Sequence, residues 1–449
     1  MRQAEQSGPR SVEDCVLGVL SGRHARFPQP FPGSPRDRRH FLRICERHAI
    51  RYAVADELRA CYDQDPEPVR ALLESLESDR EERHALLLAA DAQLCEAGAV
   101  LRDRAIPFYL LKGIALVHTL YREAPLRRSF RDIDILIPEE HYRSALDAFR
   151  TAGYRLAAHK QDIEALARYN HKLCFVPENR RPFNLDVHFR PIGKKLFEQT
   201  SGLITELFHR HAESISINDR PFGAPGRELH LLYLCVHLSL QHHLASLKWL
   251  YDILSFSRAS GLDWDTLIRM AETCRVRRAV ALSLRGAREI LGARIPDQAL
   301  RALRPRREGI VTGCWHASRL APSNVVAGVH HYKQARLEGK AARMFSEILL
   351  IDRTADRWRS IGRWVFPPPM FFRASYGAKS TWRIALAYVI HPLVVPAMAV
   401  AVLFLTVRYA VERRRGVRLR SEASSVDRRA MEDETKSQAK PGPPDHDVA

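Results

Sequence analysis

Apolar positions change period along the chain. From residue 39 to about 104 they recur at helical spacing. Phe41, Ile44, Cys45 and His48 fall at i, i+3, i+4 and i+7, and Leu87, Ala90, Leu94 and Leu101 hold one face of a later stretch. Such spacing puts these positions on one side of a helix. Between residues 106 and 189 short apolar runs take over, at 108–111, 133–137, 172–176 and 183–189, with amphipathic stretches between them. Short runs alternating with helices predict strands of an α/β or α+β unit. One helix there is well marked. Pro138-Glu139-Glu140 places a proline and two acids in its first turn, and Gly153 stops it. From 226 to 362 the period is helical again, with arginine-rich outer faces.

The two ends differ from this pattern. Residues 1–38 are rich in Pro, Gly and Arg around one apolar patch at 16–20 and predict a loose arm. Residues 384–407 carry no formally charged side chain and are long enough for a bilayer core, which needs about 20 apolar residues. Pro392 and Pro396 interrupt them, each removing a helical hydrogen bond. Arg373, Lys379 and Arg383 precede the segment; Arg408, Arg413, Arg414, Arg415, Arg418 and Arg420 follow it. Charge of one sign on both sides gives the positive-inside rule no direction. A buried helix, a single span and a bent interfacial segment all stay open. The prolines and flanks favour the last, docked on an anionic leaflet with both ends in the cytoplasm. Residues 421–449 are polar and proline-rich and predict disorder. The expected organisation is an arm at 1–38, a helical region at 39–104, a mixed-sheet core at 105–222, a helical C-terminal domain at 223–376, the apolar segment with its basic flank at 377–420, and a tail at 421–449.

Composition narrows the class. A chain of 449 residues with 46% hydrophobic and 27% charged positions is ordinary globular protein of two or three domains. This excludes a wholly disordered chain, a collagen and a polytopic membrane protein. The net charge of +18 predicts an anionic partner, whether nucleoside triphosphate, nucleic acid or membrane surface. The eight cysteines include no Cys-x-x-Cys pair, which argues against a zinc ribbon, and they read as reduced thiols. The N-terminus is polar, with no apolar signal core before Val16, so the bulk of the chain is expected in the cytoplasm.

The chemistry concentrates in Leu110-Leu111-Lys112-Gly113-Ile114-Ala115 and in Arg128-Ser129-Phe130-Arg131-Asp132-Ile133-Asp134-Ile135-Leu136. Asp132 and Asp134 lie two apart in an alternating apolar run, so on a strand they share one face. Two carboxylates so placed repel each other unless a cation lies between them. Hard ions such as Mg²⁺ prefer carboxylate oxygens and bridge to phosphates. Gly113 separates a strand-like run from a helix-like one, where backbone approaches a phosphate and a helix N-terminus favours an anion. Lys112 adds a point charge there. Two-metal phosphoryl transfer wants a third acid, and Asp186 is the best candidate. It alternates with His188 in Asn184-Leu185-Asp186-Val187-His188-Phe189.

A strand ending in Lys-Gly, then a helix, then Arg-x-x-x-Asp-x-Asp resembles the DNA polymerase beta-like nucleotidyltransferase superfamily. Within it the chain most resembles an uncharacterised bacterial nucleotidyltransferase family, related to abortive-infection type toxin nucleotidyltransferases. Ile106-Pro107, the 185–188 strand, His237 with Trp249 and Asp252, and Phe366-Pro367-Pro368-Pro369 are similar too, so the likeness extends over most of 40–376. It implies an α+β fold with a polymerase beta-like mixed sheet between helical N- and C-terminal regions. The implied reaction is transfer of a nucleoside monophosphate from an NTP to an acceptor hydroxyl with Mg²⁺ or Mn²⁺. Asp132, Asp134 and Asp186 would hold metal, with Asp186 assisting deprotonation. Lys112, Gly113 and Arg128 would serve the nucleotide; His188, read from its own position, could contact phosphate, orient a carboxylate or be a satisfied structural histidine. The superfamily follows Gly with Ser or Gly, whereas this chain has Ile114, so one phosphate donor is missing.

Other signals are weaker. His237, His242 and His243 lack a carboxylate or cysteine partner at ligand spacing, so a core or nucleotide-facing role is expected rather than metal. Asp252 is expected to cap or to pair with an arginine from the next helix. Arg275, Arg277, Arg278, Arg285 and Arg288 read as a solvated helix face, and without interleaved aromatics they do not make a nucleic-acid groove. Two alternatives stand beside the main expectation. One is a toxin-like transferase acting on tRNA or protein. The other is a catalytically inactive membrane-associated scaffold in envelope polysaccharide biosynthesis.

Overall fold

The computed structural model describes residues 11–22, 34–62, 67–157, 171–178, 181–193, 198–304, 313, 320–326, 345–367, 369, 372 and 380–392. Five helices open the chain. In α1 (Val12–Leu20) the Ser11 side chain accepts from the Asp14 amide, and Val16, Val19 and Leu20 are buried. The apolar patch expected inside a loose arm is thus a packed, capped helix, because its spacing covers one face. Residues 1–10 and 23–33 of that arm lie outside the described residues. In α2 (Pro35–Arg47) Ser34 caps and Pro35 starts the helix, and Phe41, Ile44 and Cys45 are buried as their spacing predicts. Then come α3 (Arg51–Arg59), α4 (Glu67–Leu76) and the long α5 (Arg80–Arg102). The stretch Glu67–Arg102 is apolar and long enough to pass for a membrane span by composition alone. It packs Ala90, Leu94 and Leu101 into the core under the sheet.

The sheet is mixed and seven-stranded among the described residues. β1 (Tyr109–Leu110), α6 (Lys112–His118), β2 (Asp132–Leu136), α7 (Tyr142–Thr151), β3 (Tyr154–Leu156), β4 (Lys172–Pro177), β5 (Asn184–His188), α8 (Glu198–His211), β6 (Ala212–Ile217) and β7 (Arg220–Pro225) follow in order. The strands lie in the order β3-β4-β5-β2-β1-β7-β6. β2 runs parallel to β5 with Asp134 opposite Asp186, and β4 runs antiparallel to β5 with Lys172 opposite His188. Side chains alternate across a strand. Ile133, Ile135, Leu185 and Val187 therefore enter one core with Leu94 of α5 and Phe149 of α7. The acids fall on the opposite face.

That opposite face meets a second, helical core. α9 (Arg227–Leu240), α10 (Leu247–Arg258), α11 (Trp264–Thr273) and α12 (Arg277–Leu291) pack there with α1 to α4. The architecture is α+β, as the change of period implied. Near the end, residues 381–392 are helical. Ile384 packs on Phe372, and the Tyr388 hydroxyl donates to the Pro367 carbonyl at 2.7 Å. The rest of the apolar segment, its basic flank at 408–420 and the tail at 421–449 lie outside the described residues.

Candidate active site

Asp132 and Asp134 project from β2, and Asp186 and His188 from β5. The parallel register sets Asp134 beside Asp186. Asp134, Asp186 and His188 are each at most 3% exposed. Each offers one ligand atom, and these atoms lie within 4.8 Å of one another. The alternation seen at 132–136 and at 184–188 therefore converges on one place.

Positive charge from the protein occupies this place. Lys112 Nζ donates to Asp134 Oδ1 at 2.5 Å. Lys172, the first residue of β4, forms an ion pair with Asp186. His188 Nε2 lies 2.7 Å from Asp134 Oδ1. A carboxylate only accepts, so that nitrogen carries the hydrogen. His188 Nδ1 then presents a bare lone pair, buried and without a hydrogen-bond partner among the described residues. Burial and the Lys112 charge hold the His188 pKa down to about 4, so the ring is neutral at pH 7.

The carboxylates respond differently to these neighbours. Burial alone would raise Asp134, but Lys112 and His188 outweigh it and hold its pKa well below the usual carboxylate range. Asp132 has no such partner. Burial, then the charges of Asp134 and Asp186, push its pKa up to about 6. Carboxylates crowded with too little opposing charge call for a further cation. Asp134, Asp186 and the neutral His188 imidazole offer a donor set that could hold a metal ion, with Asp132 next to it on β2.

Lys112 sits at the turn from β1 into α6 with φ +52, a left-handed backbone that is rare outside glycine. Side chains in that region store strain, typically where surrounding structure holds a functional group in place. Gly113 has a packing reason of its own. A Cβ there would lie 2.6 Å from the Phe130 Cβ. Arg128, expected at the nucleotide, is spent elsewhere. It is 2% exposed, and its Nε donates to Asp252 Oδ2 at 2.9 Å. Its guanidinium stacks 4.5 Å from the Trp249 ring centroid. The other oxygen of Asp252 accepts from the Tyr121 hydroxyl at 2.9 Å. Asp252 does pair with an arginine, but the partner comes from the sheet region.

The histidines of α9 reach the same neighbourhood. His237 packs 4.7 Å from Trp249, ring to ring, and its Nε2 lies 3.0 Å from that of His242. Burial, then the neighbouring His242 and the Lys112 charge, hold the His237 pKa well below its ordinary value. The Tyr233 hydroxyl, fully buried, feels the Asp134 charge and has no hydrogen-bond partner among the described residues. Sequence reasoning missed Lys172, Lys248 and Tyr233. Lys172 opened a predicted strand, but only the β4–β5 register shows it opposite His188. Lys248 precedes Trp249, the position that the family likeness had already marked.

A family model described as "Uncharacterised nucleotidyltransferase" matches residues 34–292. That span contains every residue named in this site. No curated protein and no solved structure matches the chain.

Proposed function

The chain belongs to the uncharacterised nucleotidyltransferase family, and from that premise we propose that it transfers a nucleoside monophosphate from an NTP to an acceptor hydroxyl with Mg²⁺ or Mn²⁺. The observation that carries this reading is the set of three carboxylates on adjacent parallel strands, two of them in register, with Asp132 left short of positive charge. A divalent ion bound here would neutralise phosphate charge and lower the cost of ionising the acceptor hydroxyl. Asp132, Asp134 and Asp186 would hold it, and His188 orients Asp134 through Nε2. Asp186 accepts the acceptor's proton as its oxygen bonds to the α-phosphorus and pyrophosphate leaves. Lys112 and Lys172 now neutralise carboxylates and are placed to turn to the incoming triphosphate. Gly113 keeps the turn close-packed on Phe130, and Arg128 holds the preceding loop against α10. Catalysis in this scheme is positioning and charge neutralisation.

The test is transfer of label from each NTP in the presence of Mg²⁺ and cell extract, comparing wild type with Asp132→Ala plus Asp134→Ala. Equal transfer by both proteins sinks the proposal. Mg·NTP at 100 times its dissociation constant is also expected to stabilise the wild type by about 2.7 kcal/mol.

A second observation bears on location. On the 381–392 helix, Trp382, Leu386, Val389 and Ile390 are 48–67% exposed, on the side away from the Phe372 contact. An apolar helix face of this kind, followed in sequence by the arginines of 408–420, fits an anionic bilayer surface. We infer that a cytoplasmic enzyme docks there on the membrane. Vesicle sedimentation should show binding to phosphatidylglycerol-containing vesicles that Trp382→Glu plus Leu386→Glu abolishes. Equal binding by that variant refutes docking through this helix.

A further inference from the structure

One cation beside the site lacks an anion. Lys248 lies on α10, next to Trp249, with its ammonium 5.4 Å from that ring. Asp132 and Asp252 are the acids within its electrostatic reach, and Arg128 and Arg131 are the neighbouring cations. Asp252 sits one helical turn on from Lys248, where i, i+4 pairs ordinarily form. Both of its oxygens are taken, by Arg128 and by Tyr121. Among the described residues no hydrogen bond or ion pair to Lys248 Nζ is present. Three other cations here are each bonded to an acid, Lys112 to Asp134, Lys172 to Asp186 and Arg128 to Asp252, while Arg131 is open to solvent.

A half-buried ammonium with no bonded carboxylate carries a desolvation cost that nothing in its surroundings offsets. Burial and Arg128 hold its pKa down to about 7, in keeping with the missing partner. Such a cost is retained where a ligand relieves it. The ligand must be anionic, since the missing partner is negative. It also lies toward Asp132, whose carboxylate, unlike that of Asp252, has no bonded side-chain cation among the described residues.

We propose that Lys248 binds the polyphosphate tail of the nucleotide, so that the triphosphate is held between the acid face of the sheet and the first turn of α10. This rests on the nucleotidyl-transfer reading and adds to it a binding residue from the helical part of the chain. Lys248 would engage the phosphates that leave as pyrophosphate, opposite the strands that carry the metal-binding acids. The arrangement gives α10 a direct part in substrate recognition, and the Arg128–Asp252 pair fixes α10 to the loop that leads into β2.

The experiment is calorimetric titration of the full chain with inorganic tripolyphosphate in Mg²⁺, for wild type, Lys248→Met, Lys248→Arg and the remote surface variant Arg269→Ala. A charge-assisted bond is worth enough that Lys248→Met should weaken binding about tenfold or more. Arginine should retain most of the affinity, and Arg269→Ala should match wild type. The melting temperature of free Lys248→Met should equal or exceed that of wild type, because the substitution removes an unpaired charge. A lysine with a structural role would show the reverse. Affinity of Lys248→Met within twofold of wild type, a clear fall in its melting temperature, or no binding by the wild type overturns the proposal. The titration needs no turnover. Lysine-dependent binding without nucleotidyl transfer would defeat the proposed reaction and leave this inference standing; transfer with an unchanged KM for NTP in Lys248→Met would do the opposite.

Discussion

Asp252→Asn should be among the most destabilising conservative changes in this chain. Its partner Arg128 is 2% exposed at the side chain, and Asp252 itself 0%. Asparagine keeps the shape and still accepts from the Tyr121 hydroxyl, but it removes the charge and turns an amide N–H toward the guanidinium. It leaves a guanidinium enclosed by Trp249 and by the Ser129 carbonyl, to which its Nη1 donates at 2.7 Å. Removing one partner of a buried pair costs about 3–5 kcal/mol. Against a total stability of about 5–15 kcal/mol, this is a large share. The neighbouring Arg127–Asp56 pair has a similar separation but side chains 32% and 18% exposed. Solvent screening limits such a pair to about 0–1 kcal/mol, so Asp56→Asn serves as the matched control. Urea denaturation followed by far-UV circular dichroism gives both values. Arg128→Met combined with Asp252→Asn should be less destabilised than the sum of the single changes, because no charge is then stranded. A loss below about 1 kcal/mol for Asp252→Asn, or strict additivity in the double variant, would refute the reasoning.

Three further outcomes follow from the same geometry. His188→Gln removes the imidazole that orients Asp134, and metal affinity or transfer rate should fall by about 10–100-fold, read from Mg²⁺ titration of activity; an unchanged Mg²⁺ dependence contradicts the assigned role. Gly113→Ala brings a Cβ to 2.6 Å from the Phe130 Cβ and should cost about 1–3 kcal/mol in denaturant unfolding, partly recovered by Phe130→Ala; a neutral effect means the turn has room that the packing denies. Glu13, 3.1 Å from His40 Nε2, is held down to about 2, chiefly by that hydrogen bond. Because its folded pKa lies below the unfolded value of 4.5, its contribution is fully present above pH 4.5 and disappears as pH falls toward 2. The stability difference between wild type and Glu13→Gln should shrink across that window; a difference that stays constant with pH rules out the contact.

Much of the site was legible because strands alternate. Asp132 with Asp134, and Asp186 with His188, could be assigned to common faces from period alone. Helix α2 was legible from its apolar spacing and its Ser34-Pro35 start. Other features were weaker in the sequence. The hairpin of β6 and β7 turns at Asn218 and Asp219, both with positive φ. Such residues suit a tight hairpin turn, but the alternation on either side is too polar to stand out. Helix α1 was obscured by the Pro- and Gly-rich residues that follow it.

What the linear chain determined by itself is local: which residues alternate, where helices start, and which acids and cations lie within a few positions of each other. Those patterns follow from backbone geometry, which repeats over two or about four residues. Pairing across the fold depended on the tertiary structure. Arg128 and Asp252 meet from positions 124 residues apart, and Lys172 reaches Asp186 only because β4 lies beside β5 in that register. Whether a given cation finds an acid is settled by which elements pack together and by which oxygens are already taken. Arg128 looked available for a phosphate and is committed to Asp252. Lys248 gave no signal of its own, and among the described residues the fold leaves its ammonium without a bonded acid.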